Sequence, residues 1–271
     1  VIDPNYNSHI NQAPSRNHNV NYNYVWDNSN SYWTPMSVNS YDSILNQAKS
    51  DIHKFGSNGD VPNQVLIESP VTVWDFQTNY SFPSDDGQSM SIKSNSSLDI
   101  GQEITIVGLD ENFLNKTESI FLNGTNDVNL SGSWSRVFRM YNSGSSELNG
   151  DVEVHSDFEQ NIHAYMLSEN NQTLMALYTI PAEYTGYLMK FHCSAQNTSS
   201  AAINYTIHLK TREFGKVFRT RKIISCSTNQ SDEETLLFPL ELPAKTDIIF
   251  QIVGADGNGG AVNADFDIAL L

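Results

Sequence analysis

Two stretches of this sequence alternate so strictly that they leave little choice of local structure. Between Ala202 and Arg212, the apolar residues Ile203, Tyr205, Ile207 and Leu209 alternate with Asn204, Thr206, His208 and Lys210. Between Ala261 and Leu271, Val262, Ala264, Phe266, Ile268 and Leu270 alternate with Asn263, Asp265 and Asp267 in the same way. Successive side chains of a strand point to opposite faces, so each stretch predicts a half-buried strand with one face in a core and the other in water. No comparable run with a period of 3.6 interrupts them, which disfavours a parallel α/β sheet and points to an all-β fold.

Shorter candidates fill the rest of this region: Ile162–Met166, Leu174–Ile180, Gly186–Ser194, Lys216–Cys226, Glu234–Leu242 and Thr246–Gly254. With the two alternating stretches they make about eight, the strand number of a jelly roll. Pro181 cannot donate to a ladder, so it ends one strand, and Gly186 restarts the chain in the next. Upstream, Val71–Trp74, Ser89–Lys93, Glu103–Val107, Glu118–Leu122, Ser135–Asn142 and Asp151–His155 are separated by turn formers such as Asn123-Gly124 and Asn149-Gly150. The sequence thus predicts two tandem antiparallel β-sandwich domains, residues 64–156 and a jelly-roll-like 157–271, preceded by an extended N-terminal arm, residues 1–63.

The arm is polar and Asn-rich, with isolated aromatics and neither period. A segment that buries so little apolar surface does not offset its own ordering entropy. Tyr6, Tyr22, Tyr24, Trp26 and Trp33 are therefore expected to anchor it on a neighbouring surface. Removal of residues 1–60 is expected to leave a folded body. A short helix is expected near Ser43–Lys54, where Ile44, Ala48, Ile52 and Phe55 would share a face.

Charge narrows the function. The formal net charge of −16 argues against a nucleic-acid surface, which needs a basic stripe. No run approaches the roughly 18 apolar residues of a membrane span, so no membrane insertion is expected. Six of the fifteen basic residues nevertheless fall in one predicted hairpin: Lys210, Arg212, Lys216, Arg219, Arg221 and Lys222. They form either an outward face neutralised by carboxylates such as Asp232, Glu233 and Glu234, or a docking patch for an acidic neighbour.

Chemical motifs are sparse. The sequence has no Gly-x-Ser-x-Gly, no phosphate-cradling Gly-Lys-Ser/Thr loop and no His-Glu-x-x-His, and neither a catalytic residue nor a cofactor is expected. His155, Glu159 and His163 would share a helix face, but on a strand residues four apart stand about 13 Å from each other, too far for one metal ion. Asp85-Asp86 and Gly254–Gly260 read as turns. Cys193 and Cys226, the two cysteines, read as buried thiols.

Several phrases carry a resemblance: "LMALYTIPA" from Leu174, "ITIVGLDENFLNKTESIFLNG" from Ile104, "RVFRMYNSGS" from Arg136, "FGKVFRTR" from Phe214 and "FPLELPAKTDIIFQIVG" from Phe238. Over residues 65 to 271 the chain resembles a family of structural virion proteins, without an assigned activity, of marine tailed bacteriophages. The resemblance implies a non-enzymatic component of the particle surface, present in many copies. Its partners would be other virion proteins of capsid shell or tail and itself, with a homotrimer as one closed form. Capsid decoration or cement is the expected role. The alternative is a tail- or fibre-associated adhesin for host glycan or outer-membrane protein, with loop aromatics such as Trp134 or Tyr184 stacking on a sugar.

Overall fold

A computed structural model describes residues 23–27, 32–36, 40–62, 69–158, 160–197, 202–228, 230–257 and 260–271. The chain is nearly all β, as expected. β1 (Asn23–Asp27) and β2 (Tyr32–Met36) pair antiparallel as a two-stranded ribbon. A helix, α1 (Ser40–Gln47), and a strand, β3 (Ser50–Asn58), follow. The expected helix therefore stops seven residues early. Its Ile52 and Phe55 lie on β3, where pairing with β18 (Gly260–Leu270) prevails over a weak helical spacing.

The expected jelly roll is present. One sheet runs β16 (Gln230–Leu242), β13 (Gly186–Asn197), β18, β3; the other runs β12 (Leu177–Thr179), β17 (Asp247–Ala255), β14 (Asn204–Arg212), β15 (Arg219–Ser227). Numbered in chain order from β3 and then β12 to β18, the strands lie as 6-3-8-1 and 2-7-4-5. Each sheet thus interleaves strands from both ends of the chain, the double Greek key of a jelly roll. The alternating stretches behave as read: Tyr205, Ile207, Leu209, Val262, Ala264, Phe266 and Ile268 are buried, and their polar neighbours are not. Phe250 stacks on Phe266 across the interior, with ring centroids 5.5 Å apart.

The strand numbered 2 is composite. β4 (Val71–Thr72) pairs with β17 at Ile252 and Gln251, and β12 pairs with β17 at Ile249, Ile248 and Asp247. Between them the chain leaves after Val73 and returns at Ala176, whose N–H donates to the Val73 carbonyl at 2.9 Å. Gly56 of β3 packs against this splice, where a Cβ would overlap the Ala176 nitrogen and the Val73 oxygen. Glycine is required there by close backbone approach.

The excursion carries the other sandwich. One sheet runs β11 (Ile162–Met166), β10 (Val152–Ser156), β5 (Met90–Ser94), β8 (Val128–Asn129); the other runs β7 (Asn115–Asn123), β6 (Ile100–Leu109), β9 (Arg136–Asn142). Met90, Ile92, Ile104, Ile106, Trp134, Val154 and Met166 are buried in it. Strand pairing crosses both expected domain limits, since β3 belongs to the jelly roll and β11 pairs with β10. Deleting residues 1–60 would therefore remove a jelly-roll strand, contrary to the expectation of an untouched body.

Candidate functional site

The two sandwiches face each other across a cleft of about 530 Å³, bounded by Asp51–Phe55 of β3, by Val107, Phe138 and Arg139 of β6 and β9, and by Gln172–Leu174. Lys54 is its central group. On β3, Lys54, Gly56 and Asn58 share the inward face, so the strand register buries the lysine to 7% exposure. Its amine donates to the Phe138 carbonyl and lies 5.7 Å from the Phe138 ring centroid. Burial, and then the nearby Arg139 charge, lower its pKa from 10.5 to about 7. Arg139 itself is exposed and stacks over Tyr141 at 4.9 Å. At the rim, His53 Nδ1 meets the Asp267 carboxylate at 2.6 Å. The arrangement can hold an anion; it offers no nucleophile–base pair among the described residues.

A buried ionic joint links the two sandwiches. Arg136 of β9, 2% exposed, donates from Nε to Asp247 Oδ1 at 2.8 Å and from Nη2 to Asp247 Oδ2 at 3.1 Å and Asp85 Oδ1 at 2.7 Å. Its Nη1 is bonded to the Ser135 and Pro83 carbonyls. Asp247 of β17 also accepts from the Thr179 hydroxyl at 2.6 Å and from Arg212 at 2.8 and 2.5 Å. Phe82 and Phe113 flank the Arg136 guanidinium at 5.3 and 4.9 Å. The charges are paired and the donors used, which is what makes a buried ion network tolerable.

This joint reassigns part of the basic hairpin, which β14 and β15 do form. Arg212 is spent on Asp247 and on the rings of Phe82 and Phe218. Arg221 meets Glu213 at 3.5 Å and Thr211 Oγ1 at 2.7 Å, and Lys222 meets Glu234 at 2.5 Å. Lys216 and Arg219 are exposed near the hairpin tip. Arg212, Arg221 and Lys222 thus have carboxylate partners within the chain. Among the aromatic candidates, Tyr24 and Trp26 lie on β1 and Trp33 on β2, with Trp26 opposite Trp33. Tyr6 and Tyr22 lie outside the described residues.

Other motifs resolve individually. Asp85 is an Arg136 partner, and Asp256 accepts from the Asn204 backbone and side-chain amides. Glu159 lies outside the described residues. His155 meets Asp127 at 3.1 Å, whereas His163 places Nδ1 3.2 Å from the Ser81 carbonyl and Nε2 2.8 Å from the Gln88 amide. A carbonyl accepts only, so His163 carries its proton on Nδ1, and burial lowers its pKa to about 4. No group of three or more metal-ligating side chains forms among the described residues. Cys193 and Cys226 are both buried, and burial pushes the Cys193 thiol up. Trp134 is fully buried beneath the Lys116 amine, so it cannot present a ring to a sugar. Neither Lys54 nor Arg136 drew attention in the sequence. Their signal is positional: a lysine at an inward register of a strand and an arginine among apolar strand residues.

No family model matches the chain, and no curated protein matches it. Three solved structures give the scale of likeness. An infectious bursal disease virus particle is 10% identical over 82% of this chain and 69% of that one, with a TM-score of 0.24. The N-terminal CBM22-1–CBM22-2 tandem domain of Paenibacillus barcinonensis Xyn10C is 9% identical over 82% and 93%, with a TM-score of 0.23. The VP2 subviral particle of infectious bursal disease virus is 11% identical over 82% and 71%, with a TM-score of 0.20. Superposition at these TM-scores does not establish a common fold.

Proposed function

We propose that this chain is a non-enzymatic structural protein on the particle surface of a tailed phage, a capsid-associated decoration or cement protein. It binds neighbouring virion subunits through its arm and sandwich faces and associates with itself, a homotrimer being one closed form. The observation that carries this reading is the β1–β2 ribbon. Its two strands pair with each other and with no strand of either sandwich among the described residues, so a segment carrying Tyr24, Trp26 and Trp33 lacks a sheet of its own to join. The phrase-level resemblance to tailed-phage virion proteins supports the same conclusion, and the exposed Lys216 and Arg219 are basic residues available to the interface.

Deletion of residues 1–38 tests it, because it spares α1, which lies against β16, and β3. The truncated protein should keep its far-ultraviolet spectrum and melting temperature but no longer co-sediment with particles. Undiminished co-sedimentation would sink the mechanism.

The cleft favours a second reading, a tail- or fibre-associated receptor binder, since a concave site of this size suits a small ligand. With Trp134 buried, partly buried Tyr184 is the other loop aromatic named above. A glycan array and a host-cell binding assay separate the two readings, for a cement protein should score in neither.

A further inference from the structure

We propose that the cleft between β3 and the β6–β9 pair is a binding site for a small organic acid, its carboxylate seated between Lys54 and Arg139 and its apolar body lying against Ile52, Val107, Phe138 and Leu174. This inference is independent of the assembly reading.

The first support is the donor count. An ammonium has three donors, and the described structure uses one, on the Phe138 carbonyl, so two are left in a group that is more than nine-tenths buried. Arg139 supplies a second cation on the same cleft and forms no ion pair among the described residues. Carboxylates near the cleft do not answer these charges. Asp51, at the rim, makes no ion pair among the described residues, and Asp267 is taken by His53. Two basic side chains without a carboxylate partner on one cavity are unexpected in a chain of net charge −16, where acidic groups are plentiful. A buried cation without a counter-charge is costly, and an incoming carboxylate relieves that cost with charge-assisted hydrogen bonds.

The walls specify the rest of the ligand. Ile52, Val107, Phe138 and Leu174 are apolar, and Gln172, Thr173 and Tyr178 add uncharged polar groups beside them. About 530 Å³ lies inside the usual range of roughly 300–1,000 Å³ for small-molecule sites. Without an anion, burial and the Arg139 charge drive the proton from Lys54 at a pH above about 7. A bound carboxylate restores the proton, so binding above that pH takes a proton from solution.

Isothermal titration of the full chain at about pH 8, with 4-phenylbutyrate and its uncharged amide as probes, tests the proposal. A ligand of about a dozen heavy atoms is expected to bind with a Kd of roughly 0.05–1 mM, and the amide at least about tenfold more weakly. In buffers of different ionisation enthalpy, the heat should report proton uptake for the acid. Lys54→Met and Arg139→Gln should each weaken the acid about tenfold or more and leave the amide unchanged. Equal binding of acid and amide, no binding of either at ~10 mM, or unchanged affinity in Lys54→Met would overturn it. Should Lys54→Met fail to fold, exposed Arg139→Gln and the proton uptake of the parent protein decide on their own.

Discussion

Lys54 sits where the strand register, not its own chemistry, puts it, and this ties its charge to folding. In the unfolded chain its amine titrates at the ordinary 10.5; in the fold it titrates at about 7. Between these values the unfolded state holds a proton that the folded state has released, so stability rises with pH across that window. Below about pH 7 both states are protonated and the burial penalty is felt in full. Lys54→Met keeps an unbranched side chain one atom shorter and removes the charge, so it should be more stable than the parent by on the order of 3 kcal/mol near neutral pH. The difference should shrink toward pH 10. Urea melts of both proteins at about pH 7, 8.5 and 10 check this. A parent whose stability is flat across the window would show that Lys54 keeps its proton by some other contact.

At the level of elements, β3 separates what the sequence reveals from what it hides. β14 and β18 were legible because each is half-buried with apolar residues on the inward face: Tyr205, Ile207 and Leu209, or Val262, Ala264 and Phe266. β3 turns Lys54, Gly56 and Asn58 inward and Phe55 outward, so its apolar period is inverted or blank and its sequence looks like part of a polar arm. The halves of composite strand β4–β12 are legible, at Val71–Trp74 and Leu174–Ile180, but their union is not. Its two parts are adjacent because both lie on β17, and pairing between distant segments leaves no trace in local periodicity. The cleft inherits both difficulties, since its lysine comes from β3 and its opposite wall from the excursion. Gly56→Ala tests the close approach directly. Its methyl would press on backbone atoms that cannot swing aside, so a loss of about 2–4 kcal/mol is expected in denaturant melts, well beyond the ~0.5 kcal/mol of an ordinary surface change. A neutral result would mean that β3 does not pack on the splice.

In the whole molecule, the jelly roll closes around a strand that the other sandwich interrupts, and the break is narrow. Val73 and Ala176 are hydrogen-bonded at 2.9 Å, and Asp75 N–H donates to the Leu174 carbonyl at 3.2 Å, so the neck of the excursion is already a short antiparallel ladder. Replacing residues 76–173 by Asn-Gly would close that ladder with a two-residue turn whose twist suits antiparallel strands. Excision removes Arg136 and Asp85 from the buried joint, but Asp247 keeps Arg212 and the Thr179 hydroxyl, so no buried carboxylate is left bare. It also uncovers Tyr178, whose ring packs on Phe138 at 4.7 Å, and opens Lys54 to water. The excised protein should therefore fold as a jelly roll, less stable than the full chain and lacking affinity for 4-phenylbutyrate. In the full chain, Arg136→Ala leaves the neck intact and strands Asp85 and part of Asp247, so a loss of about 3–5 kcal/mol is expected. Calorimetry and amide proton dispersion on both proteins give the answer. If the excised protein is unfolded while Arg136→Ala stays native, the jelly roll depends on apolar contacts across the interface and the composite strand cannot close without its excursion.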